Sequence, residues 1–426
     1  VYKRQGIPSL VGTRRHEAHE PLGESERHEE AGGEKGELAP ACTDGHGVMI
    51  MQRRAPGVRR AYPWGAARCG SHGRRVMSEC RHALHCILPP YILDRLADSD
   101  EARVRRLAID AIAESAAVRA TRATLASMGA MAAIPSPRSR KYRLVYDAKN
   151  GSFASLPGKL AREEGGRASK DPAVNEAFLN SGYTYDFYKK VFDRNSLDGR
   201  GMSLISSVHL GRRLNNAFWT GEQMAYGDGD GSLFVRFTKS LDVVGHELTH
   251  GVITHTSNLE YRDEPGALNE HFADVFGSLV KQWRKHQTAD EADWLIGNDI
   301  MGPDTDAVAL RTLTEEPAYE DDPLLGTDPQ PKHMDDVYTG SQDNGGVHIN
   351  SGIPNHAFHL ASLEIGGEAW ETTGRIWYRT LLALTAGSDF AEMVERTIQE
   401  AGMLFGSRSL EQKAVRGAWK AVGLPA

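Results

Sequence analysis

The chain has 426 residues, 40% hydrophobic and 25% charged, a globular composition with room for two or more cores. Its net charge of −7 argues against a nucleic-acid partner, and no apolar run is long enough to span a membrane. All four cysteines, Cys42, Cys69, Cys80 and Cys86, fall in the first fifth, so the rest of the fold is expected to use neither disulfides nor thiolate ligands.

Residues 1–76 carry thirteen Lys plus Arg and nine Asp plus Glu, with His16, His19, His28, His46 and His72 scattered among them and no apolar periodicity. They read as a disordered tail or a non-native upstream extension, because a coherent sequence opens at Met77. From Met77 no secretory signal is expected. The apolar stretch around Ile87-Leu88 is short, Pro89-Pro90 breaks it, and no small-residue cleavage site follows. The proline pair predicts an extended segment. Residues 94–125 are rich in Ala, Arg and Glu, with Leu107, Ile109, Ala111 and Ile112 at helical spacing, and predict one helix or two. The stretch Gly129 to Pro137 breaks the helix and marks a boundary open to proteolytic nicking. Residues 77–137 thus form a short helical module.

Residues 142–151 alternate and end in Asn150-Gly151, a hairpin signal. Short segments with turn residues continue to Phe237, interrupted by a helix over 173–192. Beyond Leu241 helical periodicity dominates, over 267–285, 353–363, 369–384 and 389–401. Strands first and helices later predict an α+β fold: a mixed lobe over 138–253, then an all-α lobe over 254–426, with a cleft between them.

At the junction stands His246-Glu247-Leu248-Thr249-His250, an H-E-x-x-H pattern. Residues i and i+4 share a helix face, so both imidazoles can reach one ion, while Glu247 points elsewhere and can reach a water. Two unconnected histidines would fit the same five letters. The flanking Val243, Val244, Leu248, Val252 and Ile253 favour a buried helix, where unpartnered His and Glu side chains would be costly and a metal would remove the cost. A catalytic zinc needs a third protein ligand. Gly266-Ala267-Leu268-Asn269-Glu270-His271-Phe272-Ala273-Asp274 offers candidates.

Together with Asn215-Asn216-Ala217-Phe218-Trp219, Met224 to Gly231 and Gly345-Gly346-Val347-His348-Ile349-Asn350, these segments resemble the thermolysin-like zinc metalloproteases, in order and in spacing, over about residues 138–426. The short module with His85 and Ile87-Leu88-Pro89-Pro90 resembles the compact propeptide of the protealysin-like branch. The resemblance implies a two-lobed zincin with one catalytic zinc held by His246, His250 and Glu270. Asp274 and Asn269 would support the ligands, and Glu247 would act as the base that activates a zinc-bound water. His348 and Tyr261 would stabilise the oxyanion, with Asp343 orienting His348. Asn216 and Ala217 would bind peptide backbone and Arg311 a substrate carbonyl. The primed pocket would be lined by Phe234, Val243 and Leu310, with Phe237, Ile296 and Ile300 beside them.

The implied activity is a neutral endopeptidase cutting on the amino side of bulky hydrophobic residues. It would be made as a zymogen that removes its own propeptide somewhere in about 128–141. Cys86 is a candidate zinc-binding thiolate or a buried apolar residue. The expected partners are protein or peptide substrates, the propeptide as inhibitor and a small protein inhibitor, with no nucleic acid or membrane; a monomer is expected. Export by a non-classical route, or a cytoplasmic zymogen, follows from the missing signal. In one respect the chain departs from the family. Asp242 and Asp293 match the paired calcium site, but Lys281, Leu295 and Asn298 stand where acidic ligands are expected, so that Ca²⁺ site is expected to be absent or reduced.

Overall fold

The computed structural model describes residues 85–127 and 140–426, with side chains for 86–116 and 140–426. The expectations for residues 1–76 and for the 129–137 boundary lie outside the described residues.

The order begins with β1 (His85–Cys86), α1 (Pro90–Ala97) and α2 (Ala102–Ser127). It continues with β2 (Arg143–Asp147), β3 (Lys159–Glu163), α3 (Pro172–Phe192), β4 (Leu204–Val208), β5 (Ala217–Trp219), β6 (Met224–Tyr226) and α4 (Leu241–Thr254). Then follow α5 (Asp263–Lys285), the small ribbon β7 (Leu295–Ile296) and β8 (Arg311–Thr312), and α6 (Asp343–Asn350). The last elements are α7 (Gly352–Ile365), α8 (Thr373–Ala383), α9 (Phe390–Phe405) and α10 (Leu410–Ala421). A mixed sheet with helices precedes a helical region, as the α+β reading requires.

The main sheet runs β1-β5-β6-β4-β2-β3. Strands β4 and β6, and β2 and β4, are parallel, and the other neighbours are antiparallel. Strand β1 forms the edge of this sheet beside β5, with His85 opposite Trp219 and Cys86 opposite Phe218.

Local chemistry explains some of the boundaries. Asp171 caps α3 by accepting from the Ala173 N–H at 2.9 Å, and Pro172 opens the helix with a preset φ. Such a cap contributes about 1 kcal/mol. The proline pair behaves differently from its sequence expectation. Pro89 is extended, but Pro90 is the first residue of α1, where a missing N–H costs nothing. The Asn150-Gly151 hairpin is also looser than its signal suggests. Strands β2 and β3 do pair, but the connection runs from Ala148 to Gly158. Lys149 and Asn150 take left-handed φ values of 54° and 57° within it.

Helices α4 and α5 make the central contact. Nearly all of α4 and residues 266–282 of α5 are buried. They cross at two glycines: a Cβ on Gly277 would sit 2.6 Å from the Asp242 carbonyl oxygen, and one on Gly245 3.1 Å from the Gly277 Cα. No larger residue fits at Gly277 without parting the helices. That close approach brings carboxylates of α5 within reach of imidazoles of α4.

Candidate active site

His246 and His250 lie one turn apart on α4, and Glu270 comes from α5. Their potential ligand atoms all fall within 4.8 Å of one another, and all three side chains are buried. Glu270 carboxylate oxygens are 3.5 Å from His246 Nε2 and 3.4 Å from His250 Nε2. The outer nitrogens are committed: His246 Nδ1 donates to Asp274 and His250 Nδ1 to Asn269, each at 2.9 Å. That leaves two Nε2 lone pairs facing each other at 3.1 Å. Two lone pairs this close repel unless a cation lies between them. Glu270 Oε2 is buried and has no hydrogen-bond partner. Two neutral imidazoles and one carboxylate converging on a point fit a divalent zinc-type ion.

Asp274 ties this cluster to a second feature. Besides His246 it accepts from Arg311 Nη2 at 2.8 Å and from Asn355 Nδ2 at 3.0 Å. The pull of Arg311 and His246 overcomes burial and holds the Asp274 carboxyl well below the usual range. Arg311 is itself fully buried, and this pair compensates its charge.

Glu247 is fully buried beside the cluster. Burial and the nearby Glu270 push its pKa well above that of an ordinary carboxylic acid. Neither carboxylate oxygen has a well-formed hydrogen bond, though the N–H groups of Trp219 and Ile87 approach closely enough to oppose the shift.

Across the cleft, Tyr261 donates to Glu270 and lies 3.1 Å from His348 Nε2. Asp343 holds His348 twice, at 2.6 Å to Nδ1 and 2.7 Å to the backbone N–H. The loop allows this because Asp343, Asn344, Gly345 and Gly346 all have φ between 52° and 86°. A Cβ on Gly345 would meet Asp263 Oδ1 at 2.2 Å. Burial opposes charge on His348, but Glu270 and Asp343 outweigh it and raise its pKa to about 9.

The segment after β1 lies along the cleft. The Ile87 N–H donates to the Ala217 carbonyl at 3.3 Å, and the Leu88 N–H to Asn216 Oδ1 at 3.2 Å. Arg311 Nη1 donates to the Ile87 carbonyl at 2.9 Å, and His348 Nε2 lies 3.2 Å from the Cys86 carbonyl oxygen. Ile87 and Leu88 are fully buried, in the same apolar cluster as Phe234, Val243 and Leu310. Cys86 stands outside the three-residue ligand cluster, and its thiol donates to the Leu88 carbonyl at 3.5 Å. The carbonyl of Cys86 faces His348, and its thiol is within electrostatic reach of Tyr261.

The structure therefore brings together every residue named from sequence for the metal, its supports, the base, the oxyanion donors and the backbone contacts. Sequence reasoning missed Asn355, which holds Asp274, and Gln330, whose Nε2 donates to the His348 carbonyl at 2.7 Å. A lone amide on a helix or loop carries no local signal for such a role.

A side-chain cation compensates a second buried carboxylate, that of Asp242, one turn before His246 on α4. Lys281 Nζ lies 2.8 Å from Asp242 Oδ2 and 2.7 Å from Asp293 Oδ1, and it donates to the Leu295 carbonyl at 2.6 Å. Burial disfavours the ammonium, but Asp242 and Asp293 outweigh it and raise its pKa.

This fold and this cleft are those of a metallopeptidase, and the chain belongs to the thermolysin metallopeptidase family. The family's catalytic-domain model matches residues 136–254 and its alpha-helical-domain model residues 257–424. Among similar proteins, an extracellular metalloprotease of Pectobacterium carotovorum subsp. carotovorum is 42% identical over 79% of this chain and 96% of its own length. Protease PrtS of Photorhabdus sp. (strain Az29) is 48% identical over 66% of this chain and 76% of its own. The solved precursor of protealysin, a metalloproteinase from Serratia proteamaculans, superposes with a TM-score of 0.72 at 43% identity, covering 80% of this chain and 99% of that one.

Proposed function

We propose that this chain is a zinc-dependent neutral endopeptidase, made as a self-processing zymogen, that cuts on the amino side of bulky hydrophobic residues. The observation that carries the reading is the chain's own backbone in the cleft, bonded by Ala217, Asn216 and Arg311 as an added strand. His246, His250 and Glu270 would hold a zinc ion, whose charge would acidify a water and polarise a carbonyl. Asp274 and Asn269 keep the two ligand rings in the tautomer that offers Nε2. Glu247, buried beside the cluster, takes a proton from the attacking water and passes it to the leaving nitrogen. His348, positioned by Asp343, and Tyr261 donate to the oxyanion. Arg311, Asn216 and Ala217 fix the backbone, and the apolar pocket around Phe234, Val243 and Leu310 takes the side chain.

In the uncut chain the segment 86–88 fills the place of substrate, so the module acts as an inhibitor until removed. Lys281 replaces calcium at Asp242 and Asp293. The site of action is extracellular, in line with the name of the Pectobacterium relative. An internally quenched peptide with a blocked N-terminus and a central Leu or Ile tests the reading. Cleavage before that residue, stopped by phenanthroline and restored by zinc, is expected; cleavage indifferent to chelation overturns it.

A further inference from the structure

The inhibitory strand lies in the cleft in one definite register. A peptide bound for hydrolysis presents one carbonyl oxygen to the oxyanion donors and the next nitrogen to the proton donor. Here the carbonyl facing His348 Nε2, at 3.2 Å, is that of Cys86. The following nitrogen, of Ile87, donates to the Ala217 carbonyl at 3.3 Å. The next carbonyl, of Ile87, is gripped by Arg311, and the next N–H, of Leu88, by Asn216. The strand pairs antiparallel with β5 at His85 and Cys86. The side chain just past the aligned bond is Ile87, bulky, apolar and fully buried, which is the type the proposed specificity requires.

We propose that Cys86–Ile87 is itself a scissile bond, a second self-processing site inside the inhibitory segment. This rests on the endopeptidase reading above. Hydrolysis adds the oxygen of water to the Cys86 carbonyl carbon and breaks the C–N bond. One proton moves to the Ile87 nitrogen, leaving a Cys86 carboxylate and an Ile87 amine. The cut is slow to take effect because the amine side stays anchored. Leu88 is buried, and α1 behind it buries Ile92, Leu93 and Leu96. The new amine remains beside the new carboxyl group and the bond can re-form. Inhibition therefore outlasts the nick and ends when the anchored half leaves.

The test uses the full chain, loaded with zinc, followed by intact mass and N-terminal sequencing, with casein hydrolysis measured on the same sample. A fragment beginning at Ile87 is expected. It is absent from Glu247→Gln and forms about tenfold or more slowly in Ile87→Ala, which loses the pocket contact. A casein-active sample with no Ile87 terminus, or one cut at a neighbouring bond instead, overturns this proposal alone. A sample inactive on both counts overturns the endopeptidase reading with it. The register has a readout that needs no catalysis. In Glu247→Gln, the Ile87 and Leu88 amides should resist hydrogen exchange, and Ile87→Asp should release them. Unprotected amides in Glu247→Gln overturn the alignment.

Discussion

Two buried polar clusters sit on the same helix pair and solve one problem in opposite ways. In the first, His246, His250 and Glu270 turn lone pairs and a carboxylate toward a common point and supply no cation. In the second, one turn earlier on α4, Asp242 joins Asp293 around the ammonium of Lys281. Buried carboxylates need a compensating charge in either place. Where chemistry requires an ion with an open coordination position, the chain leaves the charge to be recruited. Where only the fold needs compensation, a side chain suffices. His209 is a third case, with a cation that can be titrated away. Its ring bridges Asp228 at 2.8 Å and Asp171 at 2.7 Å, tying the loop after β6 to the start of α3, with Arg236 also close to both carboxylates.

Three measurements press on this contrast. The largest effect belongs to the recruited-charge cluster. Glu247→Gln keeps the shape and loses the base, so peptide hydrolysis should fall by about 10²–10⁴-fold while zinc content is unchanged. Full-length precursor should accumulate as well, and efficient maturation of that variant would speak against self-processing.

The built-in cation should matter for folding instead. Lys281→Met leaves Asp242 buried without its partner and should cost about 3–5 kcal/mol in denaturant unfolding, with kcat of the surviving folded enzyme little changed. Added calcium should not raise the melting temperature of the parent protein; a large calcium-dependent rise would mean that Lys281 does not fill the site.

The smallest effect is at His209. Its hydrogen bond to Asp228, helped by Asp171 and opposed by burial, raises its pKa to about 9. A raised folded-state pKa adds stability that is fully present below the unfolded value of about 6.5 and is lost as pH climbs through about 9. His209→Gln should thus melt lower than the parent at pH 6, on the order of a few degrees, and the gap should close by pH 9.5. A gap that is constant over this range would assign His209 a packing role only.

The parts of the site legible from the residues alone have partners set by short-range spacing, whereas Tyr261, Asn216 and Arg311, whose partners are distant in the chain, were reached through the family resemblance. His246 and His250 follow from one helical turn, and Asp274 follows Glu270 by another. The Gly345-Gly346 pair announces the backbone reversal that carries Asp343 back to His348. Lys281 stood out only against the family resemblance, as a cation where acidic residues were expected. What could not be read depends on distant main-chain contacts. The strand His85–Cys86 pairs with β5 more than a hundred residues on, and two residues carry no periodicity. Helix α10 was missed; Ala414, Val415, Ala418 and Trp419 bury one narrow stripe among charged neighbours. Asn150-Gly151 marked a turn correctly, but pairing of β2 with both β3 and β4 decided the length of the connection.

The central claim is that the convergence of His246, His250 and Glu270 exists to hold a metal. Elemental analysis of purified active enzyme, beside His250→Ala, tests it most directly. The account predicts one zinc per parent chain, and loss of both zinc and activity in the variant although it stays folded. Full activity in parent enzyme that carries no metal would contradict it.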